Sequence, residues 1–207
     1  MRLKKLVLVL AALLMVATLA ACGGGETSGA DQGRTQQTTP DQQVAPDSGS
    51  EGSGDEQEQV QAPEDKTLRL TVPKMERIEN SEIPTGQGTA KRLFKENAAV
   101  HLTGTGYPWE EEANVYIAGH RLGYPGTDSY LAFNDIEVLQ NGDEVILEDA
   151  EGRTYTYEVF NTLVVEPTNL SVLEPIEGKN IVSLQSCTLP DYSDRIIVQA
   201  ELKDTQA

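Results

Sequence analysis

Three side chains in this sequence could do covalent chemistry together: Cys187, His120 and Arg195. The chain has one other cysteine, Cys22, which lies at the end of an apolar leader, so Cys187 has no partner for an intramolecular disulfide in the mature domain. An unpaired thiol in an exported protein is a liability unless its reactivity is used. Attack on a carbonyl needs the thiolate, of which a free thiol supplies only a few per cent at neutral pH. A histidine can hold the thiolate as its imidazolium partner and later pass a proton to a leaving amine. Arginine, with a pKa above ~12, cannot be the base. It can hold a substrate carbonyl and stabilise the oxyanion of a tetrahedral intermediate. Together the three outline acyl transfer through a thioester. Taken singly, each has a plainer reading: a small buried hydrophobe for Cys187, a turn histidine for His120 and a surface cation for Arg195.

The elements around these residues read as short strands. Ile181 to Cys187 alternates apolar and polar residues as a half-buried strand does. Pro190, Asp191 and Ser193 break the pattern, and Ile196 to Leu202 reads as the returning strand, which brings Cys187 and Arg195 to one end of a sheet. His120 follows the apolar run Val115-Tyr116-Ile117-Ala118, with Gly119 permitting a tight exit. Leu68 to Val72, Ala98 to Thr103, Glu144 to Leu147 and Thr154 to Val165 supply further strands. Lys91 to Asn97 is expected to be a short helix capped by Thr89. Seven or eight closely spaced strands with little helix suggest a mainly β domain, a small barrel or sandwich. His101, inside a strand ahead of a glycine-rich loop, is expected to pack, and Glu110-Glu111-Glu112 reads as a solvated loop in preference to a calcium site. No spacing suggests zinc, a phosphate-cradling loop or a nucleophilic serine, and no cofactor or metal is implied.

The residues before this domain divide in two. Lys4 and Lys5 precede an apolar run from Leu6 to Ala21, 16 residues and short of the ~20 that span a bilayer. Residues 1–21 therefore read as a cleaved signal peptide. Leu19-Ala20-Ala21-Cys22 resembles the lipobox of bacterial lipoproteins, in which the cysteine is diacylated and becomes the new N-terminus. Residues 22–66 carry no hydrophobic period and read as a lipidated N-terminus and disordered acidic linker. Residues 67–207 are enough for one domain with its own core. The formal net charge of −17 is shared between linker and domain: ten acids against two bases over 23–66, twenty-three against eleven over 67–207. So acidic a surface repels phosphate backbones and argues against a nucleic-acid partner.

With these pieces in order, the chain resembles the sortases, nearest to their class E branch. The resemblance runs from about Leu70 to Leu202 and rests on Val72-Pro73-Lys74-Met75, Gly119-His120-Arg121, Leu139 to Val145 and Val165 to Pro175. It rests above all on Ser183-Leu184-Gln185-Ser186-Cys187, where sortases usually have Thr-Leu-X-Thr-Cys, with Arg195 at a suitable distance. The resemblance implies a closed eight-stranded β-barrel with short helices. It also implies a cysteine transpeptidase that cleaves a C-terminal sorting signal between Thr and Gly and passes the acyl group to an amine of the cell wall or a pilin. His120, Cys187 and Arg195 fall on the family's catalytic positions, and Ser186 on one that packs beside substrate. The partners implied are secreted proteins with sorting signals, an acceptor amine of peptidoglycan or pilin, and the membrane through a lipid anchor, on the extracytoplasmic face of a bacterial cell. The rival readings are a cysteine endopeptidase with the same triad and a non-catalytic envelope-binding lipoprotein.

If Cys22 holds the protein on the membrane, metabolic labelling with a fatty acid should tag the wild type and miss Cys22→Ala. Equal labelling of the variant would overturn the lipobox reading.

Overall fold

Alternating apolar and polar residues become strand in the computed structural model, which describes residues 61–207. The signal peptide expected over 1–21, Cys22 and the linker as far as residue 60 lie outside the described residues. Nine strands form one sheet: β1 (Leu68–Thr71), β2 (Ser81–Ile83), β3 (Thr85–Gly86), β4 (Ala99–Leu102), β5 (Ala113–Gly119), β6 (Glu144–Asp149), β7 (Thr154–Val165), β8 (Asn180–Cys187) and β9 (Arg195–Gln206). Their spatial order is β2-β1-β6-β7-β9-β8-β5-β4-β3. Among the described residues no helix is long and apolar enough to cross a membrane.

Pro84 explains why nine strands appear where eight were expected. It separates β2 from β3, because a proline has no N–H to give to a ladder. The stretch 81–86 thus serves both edges of the sheet. Its first half pairs antiparallel with β1, Leu68 opposite Ile83, and its second half runs parallel to β4, Thr85 opposite His101. The His101 N–H donates to the Pro84 carbonyl at 3.0 Å across the break. One bent segment in this way brings the sheet nearly to a closed barrel. Irregularities in the β7–β9 ladder, between Thr156 and Tyr157 and between Val159 and Asn161, add the local twist that closure requires.

The single α-helix among the described residues, α1 (Lys91–Glu96), is shorter than expected, and Thr89 does not cap it. Ala90 occupies the N-cap position without a side-chain hydrogen bond. Ahead of β1, residues 61–66 lie against the domain: Pro63 is buried, and the Gln61 carbonyl accepts from Arg153 at 2.8 Å.

The period of two sorts the side chains into an inner and an outer set. Val115 and Ile117 of β5, Val182 and Leu184 of β8, and Ile196, Val198 and Ala200 of β9 join the core with Leu70, Leu147, Tyr155 and Tyr157. Burying an aliphatic or aromatic side chain of this size contributes about 1.5–3 kcal/mol, so the interior supplies the main driving force. The alternate residues of β5, β8 and β9 face outward, beneath loops.

Two buried asparagines hold those loops. Asn180 on β8 donates to the carbonyls of Pro108 and Glu110 at 2.9 and 2.6 Å and accepts the Tyr157 hydroxyl at 3.0 Å. Asn114 on β5 donates to the carbonyls of Val172 and Glu174 at 2.9 and 3.1 Å. Each strand thereby secures the loop that leads into the other. Replacing Asn180 by alanine would strand two carbonyls and leave the Tyr157 hydroxyl buried without a partner, at a cost of about 2–4 kcal/mol. Urea unfolding of Asn180→Ala checks this; a loss below ~1 kcal/mol would show that the brace is not structural.

Candidate active site

The hairpin formed by β8 and β9 places the two ends of the expected chemistry face to face. In its antiparallel register Cys187 lies directly opposite Arg195. Both belong to the outward set, since the core takes Leu184 and Ser186's neighbour Ile196 from the same strands. The connecting turn, residues 188–194, is tied by its own polar groups. Thr188 N–H donates to the Asp194 carbonyl at 3.1 Å, Tyr192 N–H to the Thr188 carbonyl at 3.2 Å, and Asp194 N–H to the Thr188 hydroxyl at 3.1 Å. Asp191 accepts from the Ser193 N–H and hydroxyl. The turn chemistry read from Pro190, Asp191 and Ser193 is therefore what sets the register.

Arg195 is not taken up by a carboxylate. Among the described residues it forms no ion pair with Asp191 or Asp194; its Nη1 donates instead to the Tyr192 and Asp194 carbonyls at 3.3 and 3.0 Å. These bonds orient the guanidinium and leave its charge unneutralised, the state needed to hold a developing oxyanion.

His120 arrives by the parallel pairing of β5 with β8. That ladder runs from Ala113 opposite Asn180 to Ala118 opposite Gln185, so the residues just after β5 come level with Cys187. Gly119 lies so close to Phe133 that a Cβ would meet the ring at 2.7 Å. No other residue fits there without moving Phe133. The Phe133 N–H also donates to the His120 carbonyl at 3.0 Å, and the next residue, Arg121, is buried and pairs with Glu137 at 3.1 Å. The imidazole stands between Phe94 and Tyr124, edge-on to both, with ring centroids 6.0 and 5.7 Å away. Burial among these rings pushes the His120 pKa below its ordinary 6.5. The ring is thus neutral at neutral pH and available to take a proton.

Cys187, His120 and Arg195 line one groove of about 530 Å³, with Phe94, Leu102 and Gln185 among the other walls. Cys187 is a free, half-buried thiol. Ser186, expected beside substrate, borders the groove but is buried, and its hydroxyl donates to the Gly119 carbonyl at 2.8 Å. That bond joins the strand of the nucleophile to the residue preceding the histidine. His101 is fully buried and satisfied: its Nε2 donates to the Gly106 carbonyl at 3.0 Å and its Nδ1 meets the Thr85 hydroxyl at 3.0 Å.

The sequence reading gave no role to Phe94 and Tyr124 beside His120, nor to Tyr116 and Gln185. The hydroxyl of Tyr116, wholly buried, donates to Gln185 Oε1 at 2.8 Å. Burial pushes the phenol well above its ordinary pKa of 10, opposed by the nearby Arg195 charge, so it remains a neutral donor. The only signal in the sequence was positional: Gln185 stands two residues before Cys187 and so on the same face.

The chain is similar to known proteins in sequence and in fold. A model of the sortase domain matches residues 70–203. A protein described as sortase A of Streptococcus agalactiae serotype III is 30% identical over 139 residues, 67% of this chain and 50% of the relative. The chain thus spans about half the length of that relative. Among solved structures, sortase A from Corynebacterium diphtheriae is 25% identical with a TM-score of 0.57, covering 67% of this chain and 61% of the other. Sortase C-1 from Actinomyces oris is 26% identical with a TM-score of 0.56, covering 66% and 71%.

A histidine whose native pKa is depressed protonates more readily in the unfolded chain. Its contribution therefore lowers stability as pH falls below about 6.5, until the native ring itself takes the proton. The His120 ring proton, identified by its loss in His120→Gln, should titrate by NMR with a midpoint below 6.5. A midpoint at or above that value would contradict the burial described here.

Proposed function

We propose, since the chain belongs to the sortase family of cysteine transpeptidases, that this domain cleaves a C-terminal sorting signal between Thr and Gly and transfers the acyl group to an amine of the cell wall or a pilin. The observation that carries the reading is the placement of Cys187 opposite Arg195 in a groove that His120 also lines. Cys187 Sγ attacks the threonine carbonyl carbon, its proton passing to His120, and Arg195 holds the oxyanion of the tetrahedral intermediate. The C–N bond breaks, the glycine amine leaves with the proton from His120, and a thioester remains. An acceptor amine then attacks the thioester, gives its proton to His120 and expels the thiolate, which is reprotonated.

Class E membership, a lipid anchor on Cys22 and a place on the extracytoplasmic face of the membrane belong to the same proposal; their support is the motif sequence and the lipobox-like leader. An endopeptidase would use the same three residues with water in place of the amine, and an envelope-binding lipoprotein would not need them.

Turnover of a Thr-Gly peptide, with and without an added amine, separates these outcomes. Hydrolysis indifferent to amine would make the protein an endopeptidase, and activity untouched by alkylation of Cys187 would remove the thiol from the function. Arg195→Ala should lower turnover about 10²–10³-fold, and Arg195→Lys should recover little, because an ammonium lacks the planar fork. Near-normal turnover in a normally melting Arg195→Ala protein would remove Arg195 from the mechanism.

A further inference from the structure

Behind the catalytic groove lies a polar pair that the acyl-transfer steps leave unused. In the parallel ladder Tyr116 of β5 stands opposite Ser183 of β8, and Ala118 stands opposite Gln185. The Tyr116 side chain reaches past Ser183 to the next outward residue of β8, where its hydroxyl donates to Gln185 Oε1 at 2.8 Å. The Tyr116 ring is wholly buried. Gln185 is half-buried and lines the groove together with Cys187, which follows it on the same face of the same strand.

Burial of Tyr116 decides how the amide is turned. Its phenol, pushed above the ordinary pKa of 10 by burial against the opposing Arg195 charge, keeps its proton and must give it to an acceptor. Among the described residues Gln185 Oε1 is the acceptor it has. With the amide turned over, Nε2 would face the phenol oxygen, and the phenol proton would be buried without a partner, a costly state. The amide oxygen is therefore spent on Tyr116, and the N–H donors of Nε2 point away from it. Among the described residues this is the one side-chain hydrogen bond that Gln185 makes. Nε2 is not a buried orphan like Asn114 Oδ1 or Ser183 Oγ; it reaches accessible space beside the groove.

The rest of the groove indicates what such a donor meets. Among the described residues no carboxylate lines it: its charged side chains are Lys91 and Arg195, and Phe94, Leu102 and Ala118 supply apolar wall. Donors set in apolar surface suit the carbonyl oxygens of an extended peptide. A main-chain carbonyl recurs at every residue, so a fixed donor finds one whatever the side chains are. Two residues along a strand span about 7 Å, which an extended peptide also covers in about two residues.

We propose that the Gln185 amide N–H binds a main-chain carbonyl of the substrate peptide about two residues from the scissile bond, and that Tyr116 is the positioning residue that holds the amide in its donating orientation. The inference rests on the transpeptidase reading for its peptide. Ten-residue peptides with a central Thr-Gly pair, each with one peptide bond replaced by an alkene that has no carbonyl oxygen, are titrated by fluorescence anisotropy into full-length Cys187→Ala. The same peptides are offered to the wild type for turnover.

At one bond about two residues from the Thr-Gly pair the alkene should weaken binding about tenfold, the worth of one good hydrogen bond. Gln185→Met should weaken binding of the all-amide peptide by about the same factor. The alkene should then cost nothing further, because both changes remove one interaction. Tyr116→Phe, which lets the amide turn its oxygen into the groove, should weaken binding about threefold alone and add nothing to Gln185→Met. In the active enzyme Gln185→Met should raise KM more than it lowers kcat. The combined Tyr116→Phe and Gln185→Met protein leaves no buried orphan and should melt near the wild type, so lost affinity in it is not misfolding.

Unchanged binding in a normally folded Gln185→Met protein, or alkene losses that add to that variant at every position, would overturn the assignment. A Tyr116→Phe loss that persists undiminished beside Gln185→Met would remove the positioning role. Coupled losses in binding without turnover of any peptide would keep the donor and remove the transpeptidase reading; turnover without coupling would do the reverse.

Discussion

Everything at the site depends on one strand having two kinds of neighbour. β8 pairs parallel with β5 on one side and antiparallel with β9 on the other. The antiparallel ladder needs only a seven-residue turn to bring Arg195 opposite Cys187. The parallel ladder makes β5 end where β8 ends, so the residue that follows β5 arrives at the same edge. A parallel pair cannot be joined by a tight turn, so the chain between β5 and β8 must leave and return. That long excursion forms β6, β7 and the loop that walls the groove.

The edge is then stiffened by contacts that leave the reactive side chains free. Gly119 rests on Phe133, Ser186 bonds the Gly119 carbonyl, and the Phe133 N–H bonds the His120 carbonyl. Backbone is fixed on both sides of the imidazole, while the ring stands edge-on between Phe94 and Tyr124. Arg195 follows the same pattern, oriented by two main-chain carbonyls and neutralised by none. A carboxylate partner would have screened the charge that an oxyanion needs. The carboxylates of the neighbouring turn are instead engaged with Ser193.

On the outer face Lys91 and Arg195 line the groove of the thiol, and Glu110, Glu112 and Glu174 line the neighbouring cleft. Asn114 and Asn180 secure the loops that bear Glu174 and Glu110, so the polar frame of the barrel reaches directly to the cleft.

Several features were legible in the amino-acid sequence because their causes are local. The period of two over residues 181–187 separates Val182 and Leu184 from Ser183, Gln185 and Cys187 whatever the strand pairs with. Pro190, Asp191 and Ser193 specify a return, and the order of the motifs names the family. Tertiary structure alone decided the rest. Closure through residues 81–86 depends on Pro84 lying between two distant edges, a long-range fact invisible in a six-residue stretch. Thr89 fails as a cap because the helix begins one residue later, so that Ala90, which has no side-chain acceptor, takes the N-cap position. Ser186 falls on the inward face with Val182 and Leu184, and the pairing with β5 puts the Gly119 carbonyl within reach of its hydroxyl. The Tyr116–Gln185 bond joins residues 69 apart, and the acidic cleft gathers Glu110 and Glu174 from loops that only the β5–β8 ladder brings together. Spacing along a chain encodes faces and turns; which faces meet is settled by the packing of the whole sheet.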